Sequence, residues 1–326
     1  MAAVQHYCVR FRIALPGTNH LPPANDHVPE AALWATRLGA PDFQRIASAI
    51  DGLRYDAIVT SEHLAMPYFE VPRLGPFWMD ALSVMSFVAG ATRRVRIDTS
   101  VLVVPYHHPL AFAKALSTID VLSGGRVDVS IGVGHAEREF EVLGVPFADR
   151  GAITDETLEA MLELWRADEP TFHGRYFRID GLAFAPKPVQ QPRPPIYVGG
   201  NSRAALRRAA RYDGWQPNPT NLSVDEIPAL LDYLRAQPDY AGKEDTFQLF
   251  WVGTVPGLDR PVFSTMNDAS RREYRERTLE HLDRLEKLGV TTVSVPVPLT
   301  DGVDDYLDFV RWFDGEVIAA TQTAPR

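Results

Sequence analysis

Eight short stretches of strand-like sequence alternate with helix-like sequence along this chain of 326 residues. Apolar residues with a period of two predict a strand, and apolar residues three or four apart predict a helix. Seven of the predicted strands cover residues 9–15, 57–61, 95–104, 127–133, 195–200, 247–255 and 291–295, and residues 213–215 introduce the remaining one. The predicted helices cover residues 42–53, 80–92, 109–122, 139–143, 154–165, 203–212, 224–236, 269–288 and 302–320. Because strands separated by helices join through right-handed crossovers into a parallel sheet, eight such units favour a closed barrel.

We therefore expect an α/β protein with a single (β/α)8 TIM-type barrel and loop insertions at the C-terminal rim of the strands. The alternative is a doubly wound open sheet. No G-x-G-x-x-G pattern follows the first predicted strand, which counts against a dinucleotide-binding fold. We expect one domain over residues 1–326, with an irregular N-terminal loop at 16–40 and an insertion at about 168–195 that contains a short hairpin.

Charge and composition argue against several classes of protein. A formal net charge of −9 is unfavourable for a broad nucleic-acid surface, so we expect no nucleic-acid partner. No apolar run approaches the ~20 residues of a membrane span, and the N-terminus lacks the pattern of a signal peptide. Cys8 is the only cysteine, so we expect no internal disulfide and no cysteine cluster for a metal. These features predict a cytoplasmic protein that does not bind a membrane.

The segment from 120 to 137 joins a helix end, a glycine turn, a strand and the start of a polar loop. Glycines 124 and 125 suit the left-handed conformation of a helix C-terminus. In the strand at 127–133, apolar residues alternate with polar or small ones, a pattern that suits an open face. The helices predicted on both sides favour a buried parallel strand instead. His135 and Glu137 follow this strand, at the end where α/β enzymes place their chemistry.

In a parallel barrel, the residues just past the carboxyl end of each strand share one rim. This rule collects acids, histidines, small residues and a glycine-rich turn from four different parts of the chain. The residues collected are Thr60, Ser61, Glu62, His63, Ser100, Val101, Gly134, His135, Glu137, Gly199, Gly200, Asn201 and Ser202.

Two of these groups indicate chemistry. Glu62 and His63 are suited to acid–base work, because a histidine titrates near neutral pH and a carboxylate can orient it; the alternative is an ordinary polar loop. Gly199 to Ser202 open a predicted helix, whose N-terminal N–H groups would favour an anion. The alternative for this segment is an ordinary turn with a capping serine.

Other polar residues are weaker candidates. His107 and His108 are adjacent, but no further ligands stand at metal-binding spacing, so we expect a surface or pocket-wall role and no metal. Ser61 and Ser100 do not lie in a G-x-S-x-G elbow and are poor candidates for a nucleophile.

Motifs along nearly the whole chain occur together in a known order and spacing. They are Thr60-Ser-Glu-His63; Thr99-Ser-Val-Leu102 with Pro105 and Pro109; Ala113-Lys114; Asp120 with Leu122-Ser-Gly-Gly-Arg126; Gly132-Val-Gly134 with Glu137 and Phe140; Arg150-Gly151; Pro195-Ile-Tyr-Val-Gly-Gly200; and Asp213-Gly-Trp215. On these motifs, the chain resembles the bacterial luciferase-like flavin-dependent oxidoreductases, and within them the branch that uses the deazaflavin coenzyme F420. Each motif is common alone, whereas the ordered set is specific.

The resemblance implies a TIM-type barrel that binds a flavin or deazaflavin across its C-terminal rim. It also implies a non-prolyl cis peptide bond under the ring at Ser100–Val101. The catalytic residues it implies are Glu62 and His63 beside the reactive face of the ring, with His63 positioned by Glu62, and Glu137 facing the active site. The cofactor-binding residues that we expect are Thr60, Ser61, Ser100, Val101, Gly134, His135, Gly199, Gly200, Asn201 and Ser202.

The function implied is hydride transfer between F420 and an organic carbonyl, imine or activated alkene, with His63 giving or taking the accompanying proton. One alternative is an FMN-dependent monooxygenase that uses O2 and is supplied with reduced flavin by a separate reductase. A second is a non-catalytic flavin-binding relative. The expected partners are a small organic substrate, a separate flavin or F420 reductase, and a second copy of the chain in a homodimer.

Overall fold

Strands and helices alternate along the chain in the computed structural model, which describes residues 9–18, 30–256, 258 and 261–323. Cys8 and part of the predicted N-terminal loop lie outside these residues. The strands are β1 (Arg10–Ala14), β2 (Ala57–Thr60), β3 (Arg96–Thr99), β4 (Leu102–Val103), β5 (Val129–Gly132), β6 (Phe172–His173), β7 (Arg178–Ile179), β8 (Ile196–Gly199), β9 (Gly214–Gln216), β10 (Gln248–Trp251) and β11 (Thr292–Ser294). The α-helices are α1 (Ala40–Asp51), α2 (Val71–Leu74), α3 (Ala81–Ala91), α4 (Pro109–Ser123), α5 (Glu137–Leu143), α6 (Arg150–Arg166), α7 (Arg203–Arg211), α8 (Ile227–Arg235), α9 (Asp268–Lys287), α10 (Val303–Phe313) and α11 (Ala319–Thr323).

Nine strands form one parallel sheet in the order β3-β2-β1-β11-β10-β9-β8-β5-β4. β3 and β4 are the two halves of one stretch, residues 96–103, so the two ends of this order meet. The closure is completed where Ile97 accepts from the N–H of Asp128 at 2.9 Å and donates to the carbonyl of Arg126 at 2.8 Å. The predicted TIM-type barrel is confirmed.

Strand alternation separates an apolar outer face from a polar inner one. Ile58 and Ile97 are neighbours in the strand register and belong to the apolar core between the strands and the helices. On the inner face, Arg12 of β1 and Asp98 of β3 form a buried ion pair, with 2.5 Å between Nη1 and Oδ2. Ser130 donates to the same carboxylate at 2.8 Å. The alternation at 127–133 therefore does mark two faces, and the polar one turns into the barrel rather than to solvent.

Apart from shifted bounds, three of the local predictions differ from the structure. The strand predicted at 95–104 is interrupted by a cis Ser100–Val101 peptide bond. The last predicted helix, 302–320, contains a π-helical turn at Asp314–Ile318. Part of the loop predicted at 16–40 is a 3₁₀-helix, Glu30–Arg37, which Trp34 anchors by donating from Nε1 to the carbonyl of Thr300 at 2.7 Å.

The predicted hairpin in the rim insertion is present as β6 and β7, which pair antiparallel. Glu156 on α6 holds its turn, because its carboxylate accepts from the backbone N–H groups of Arg175, Tyr176 and Phe177 at 2.7–2.8 Å. The insertion is therefore fastened to the barrel's helical layer.

The helices divide by length and charge. α9 has 20 residues but carries charged side chains along its whole length, whereas α3 has no charged residue but spans only 11 positions. Within the part of the chain that the structure describes, no helix combines the length and the apolar character needed to cross a bilayer.

Candidate active site

The carboxyl-end layer of the barrel interior is built from small residues around the cis bond. A Cβ atom placed on Gly132 would lie 2.7 Å from Val101 Cγ2, and one on Gly199 would lie 3.1 Å from Val101 Cγ1. Glycine at these two positions therefore leaves room for the Val101 side chain. The cis bond at Ser100–Val101, implied by the family resemblance, is confirmed.

A chain of hydrogen bonds crosses this layer. The Ser61 hydroxyl donates to the carbonyl of Ser100 at 2.9 Å, and Gln216 Nε2 donates to Ser100 Oγ at 2.7 Å. Ser61 directly follows β2 and Gln216 ends β9, and these strands lie on different sides of the barrel. The layer is polar and fixed, although no charged side chain takes part in these bonds.

Glu62 turns away from its neighbour His63. Its buried carboxylate accepts from the backbone N–H of Val103 at 2.6 Å and from His107 Nε2 at 2.9 Å. The His107 ring is stacked on Phe112, with 4.4 Å between ring centroids and 7° between planes. The prediction that Glu62 positions His63 is wrong, because adjacent residues at this strand end point in different directions.

The carboxylate that holds His63 is Glu139. His63 Nδ1 lies 2.7 Å from Glu139 Oε2, and the Tyr106 hydroxyl donates to the same oxygen at 2.9 Å. Oε1 accepts from the backbone N–H groups of Leu64 at 2.7 Å and Ala65 at 3.1 Å. The two backbone N–H groups and the Tyr106 hydroxyl donate three hydrogen bonds to this carboxylate, which favours its ionised form.

Electrostatics agree with this assignment. Burial raises the pKa of Glu139, but the hydrogen bonds from His63, Ala65 and Tyr106 and the charge of His63 outweigh it, so the pKa lies below its ordinary value. Burial, and then the adjacent carboxylate, raise the pKa of Tyr106 and keep its proton in place. Since an ionised Glu139 can only accept, His63 carries its hydrogen on Nδ1 and, when neutral, has a free lone pair on Nε2.

Two rim loops surround the His63 ring. Trp78 lies edge-on at 4.6 Å between centroids, and His135 lies edge-on at 5.4 Å. Partial burial and the charge of His63 lower the pKa of His135. His63 itself has a side chain only 9% exposed, which limits its access to water.

The segment Gly199–Ser202 leads into α7 with several backbone donors open. Ser202 caps the helix by accepting from the N–H of Ala205 at 3.1 Å. Among the described residues, the N–H groups of 201 to 204 make no hydrogen bond. Asn201 bonds to both backbone groups of Asn218, at 2.6 and 2.8 Å, and this fixes the loop from which those N–H groups emerge.

The chain is similar in sequence to known proteins. The sequence profile of the luciferase-like monooxygenases matches residues 27–292, most of the chain. The chain belongs to the luciferase-like monooxygenase family. An uncharacterized protein of Mycobacterium tuberculosis is 31% identical to it over 274 residues, which cover 79% of this chain and 86% of that protein. Members of the family are F420- or FMN-dependent oxidoreductases and monooxygenases.

Two further relatives represent these two cofactors. An FMNH2-dependent dimethylsulfone monooxygenase of Pseudomonas putida is 34% identical over 161 residues, which cover 48% of this chain and 44% of that enzyme. The structure of an F420-dependent tetrahydromethanopterin reductase from Methanopyrus kandleri superposes with a TM-score of 0.69 and 16% identity, covering 96% of this chain and 99% of that one. The second likeness shows a shared fold.

In this luciferase-like chain, the structure brings most of the predicted rim residues to one end of the barrel. Two take other positions, and in a third the backbone donor is already bonded. Glu137 is exposed and makes no side-chain hydrogen bond within the described residues, because it begins α5, whereas Glu139 lies on the inward side of the helix. Thr60 follows the strand alternation onto the face shared with Ile58, away from the interior. Gly200 donates its N–H to the carbonyl of Gln216 at 3.2 Å, so this donor is already occupied.

The sequence analysis missed Glu139, Tyr106 and Gln216 in this luciferase-like site. Glu139 and Tyr106 complete the environment of His63, and Gln216 is the last residue of β9. His107 and His108 have the predicted wall role: they line a cavity of about 290 Å³ beside the rim, and His108 Nδ1 also accepts from the N–H of Leu110 at the start of α4.

Proposed function

We propose that this protein is an oxidoreductase that transfers a hydride between coenzyme F420 and an organic carbonyl, imine or activated alkene. The observation that carries the proposal is the His63–Glu139 pair at the rim of the barrel, with Nδ1 bound and Nε2 available. When bound, the deazaflavin ring supplies the redox step. The protein's part is to orient both reactants, exclude water and move one proton.

The residues present fit such a group at two places. Ser100, Val101, Gly132 and Gly199 form a floor of small side chains beside which a flat ring can lie. The open N–H groups at the start of α7 suit a phosphate, because a helix N-terminus carries partial positive charge. Ser61 and Asn201 would hold the two neighbouring segments in place.

His63 is the proposed acid–base residue, and Glu139 its positioning residue. With Nδ1–H given to Glu139, His63 presents Nε2 for the proton that accompanies the hydride. Trp78 and His135 shield the ring on two sides. Glu62 would act indirectly, by holding the backbone at Val103 next to the cis bond.

The choice of F420 over FMN is supported by basic side chains near the start of α7, where a phosphate would bind. Arg203 and Arg207 are exposed one turn apart on α7; Arg203 stacks on the Tyr233 ring at 5.3 Å and Arg207 donates to its hydroxyl at 3.0 Å. F420 has a longer acidic tail than FMN and would meet these two charges. Arg208 is not part of this surface, because it is buried in an ion pair with Asp155.

The alternative is an FMN-dependent monooxygenase that uses O2 and a separate reductase. The specific observation in its favour is the 34% identity to the FMNH2-dependent enzyme of Pseudomonas putida. Gly199–Ser202 and His63 would serve the monooxygenase reaction equally well. The sequence likeness, rather than the geometry, therefore favours the monooxygenase.

Titration of the purified protein with F420 and with FMN, followed by fluorescence, distinguishes these proposals. We expect tighter binding of F420, and we expect Arg203→Ala with Arg207→Ala to weaken F420 binding by ~10-fold or more while FMN binding hardly changes. Tighter binding of FMN would favour the monooxygenase. Binding of either cofactor without oxidation of its reduced form by any substrate in a panel of carbonyls, imines, activated alkenes and O2 would favour a non-catalytic role.

We further propose a homodimer through α3 and α4. The outward residues of α3 are Ser83, Ser86, Phe87 and Gly90, without a charge among them. On α4, Val121 and Leu122 are exposed. Light scattering tests the proposal: Phe87→Glu with Leu122→Glu should convert the dimer to a monomer, and a wild-type monomer would refute it. We also propose that the protein acts on a small organic substrate and is located in the cytoplasm.

A further inference from the structure

Gln216, in the carboxyl-end layer of the barrel, has one polar atom without a partner among the described residues. Gln216 is 4% exposed, and its Oε1 makes no hydrogen bond among the described residues. Its Nε2 is used, since it donates to Ser100 Oγ at 2.7 Å. Buried side-chain oxygens nearly always have a partner in native proteins, so an unpartnered one at the rim points to a ligand.

The position of Gln216 is fixed from both sides. Its backbone carbonyl accepts from the N–H of Gly200, and the preceding Trp215 donates from Nε1 to the carbonyl of Gly200 at 2.8 Å. In the strand register Gln216 lies beside Gly199, and its side chain reaches the cis-bonded Ser100. The free amide oxygen therefore lies between the floor of the site and the segment that leads into α7.

Among the described residues, the neighbours of Gln216 in this layer make no hydrogen bond to its Oε1. Ser61 and Ser100 are already bonded, and the neighbouring positions Gly132 and Gly199 have no side chain to contribute. A bound molecule with an N–H group would supply the missing donor. Flavins and deazaflavins share a pyrimidine edge on which one N–H lies between two carbonyls, and a carboxamide oxygen is a suitable acceptor for it.

We propose that Gln216 recognises this pyrimidine edge: Oε1 accepts from the ring N–H while Nε2 remains bound to Ser100. The inference rests on the proposed function, but not on the choice between F420 and FMN, because both rings have the same edge. Gln216 is thus a recognition residue for the cofactor class and has no part in the proton transfer.

Binding measurements with an altered ligand test this contact. The dissociation constant of FMN, or of F420 if only F420 binds, is compared by fluorescence with that of the same cofactor methylated on the pyrimidine nitrogen. We expect the wild type to bind the methylated form ~10-fold or more weakly. Gln216→Met, close in volume but without the amide, should bind the normal cofactor ~10-fold more weakly than wild type and should no longer distinguish the two forms.

A matched control exists at the other end of the barrel. Gln248 lies on the inward face of β10, and both of its amide atoms are bonded within the chain, to Arg10 and to the carbonyl of Thr246. Gln248→Met should discriminate between the two ligands as wild type does. Gln216→Glu keeps an acceptor oxygen and should still bind the normal cofactor more tightly than the methylated one. It replaces the methionine variant in the test if circular dichroism shows that Gln216→Met does not fold.

Three outcomes overturn the inference. Equal binding of the two forms by the wild type would mean that the ring N–H makes no contact. Undiminished discrimination by Gln216→Met would mean that the methyl group clashes elsewhere. If the wild type binds neither FMN nor F420, the proposed function fails and the role of Gln216 fails with it.

Discussion

Two histidine–carboxylate pairs lie side by side at the rim, and they differ in what surrounds the imidazole. In the first, His107 gives Nε2 to Glu62, and its ring is stacked flat on Phe112 at the wall of a cavity. In the second, His63 gives Nδ1 to Glu139, and its ring stands between side chains of two rim loops. The bonds have similar lengths, 2.9 and 2.7 Å.

The difference teaches that the pair alone does not identify a catalytic histidine. Glu62 serves the backbone beside the cis bond, so the His107 pair fixes the floor of the site. Glu139 serves the backbone that follows His63, so the second pair fixes the histidine itself. We therefore assign a structural role to the first pair and a chemical role to the second.

The largest expected effect separates the two histidines. His63→Ala should lower turnover by ~10²-fold or more and leave cofactor affinity nearly unchanged, because it removes the proton-transferring group. His107→Ala should reduce turnover far less but lower the free energy of unfolding by about 3 kcal/mol, since it leaves the buried Glu62 without its partner. Steady-state kinetics and urea unfolding of both variants measure this. Equal losses of turnover would remove the distinction.

A smaller effect is expected from the carboxylate that holds His63. Glu139→Gln should lower turnover by ~10-fold and shift the pH profile of turnover, because the amide no longer fixes the hydrogen on Nδ1 or stabilises the protonated ring. Tyr106→Phe is the control: it removes one donor to the same carboxylate and should cost about 1 kcal/mol of stability with no shift of the profile. A profile unchanged in Glu139→Gln would contradict the positioning role.

The corresponding change in the structural pair should act on stability. Glu62→Gln should lower the free energy of unfolding by about 1–2 kcal/mol, because charge-assisted bonds to Val103 and His107 become neutral or are lost. The pH profile of turnover should stay that of the wild type. Denaturant unfolding measures the loss of stability, and turnover measured over a range of pH tests the profile. A pH profile shifted from that of the wild type would mean that Glu62 takes part in the chemistry.

The smallest effect concerns the pH dependence of stability. The pKa of Glu139 is lower in the folded protein than its ordinary value of 4.5, so its ionised form stabilises the fold at higher pH. That contribution is lost as the pH falls through the folded-state pKa. The stability difference between wild type and Glu139→Gln should therefore be largest near neutral pH and shrink below about pH 4.5. A difference that does not change with pH would argue against an ionised Glu139.

The barrel could be predicted from the sequence because its signals are local. Period-two runs mark strands such as 127–133, and turn residues such as Gly124 end the helices that connect them; Gly124 is indeed left-handed at the end of α4. Topology then brings the strand ends together. The same reasoning placed His63, Ser100 and Gly199 at one rim.

The partners within the site could not be predicted, because they depend on small local rotations and distant contacts. Successive helix residues turn by about 100°, so Glu137 and Glu139 point to nearly opposite sides of α5. The helix begins at Glu137, and it is Glu139 that points inward and Glu137 that is exposed. Glu62 and His63 find partners 45 and 76 residues away. Gln216 belongs to a strand whose end the sequence pattern did not define, and only its missing partner in the folded structure draws attention to it.

The crossed pairing at the rim has a consequence for redesign. Neighbours 62 and 63 each bond to a different distant segment, and neighbours 106 and 107 do the same in return. A chimaera that took only one of these segments from a homologue with different residues there would leave an imidazole without its carboxylate partner. Loop grafting in this scaffold must therefore transplant 62–65, 103–107 and the first turn of α5 together, as one cassette.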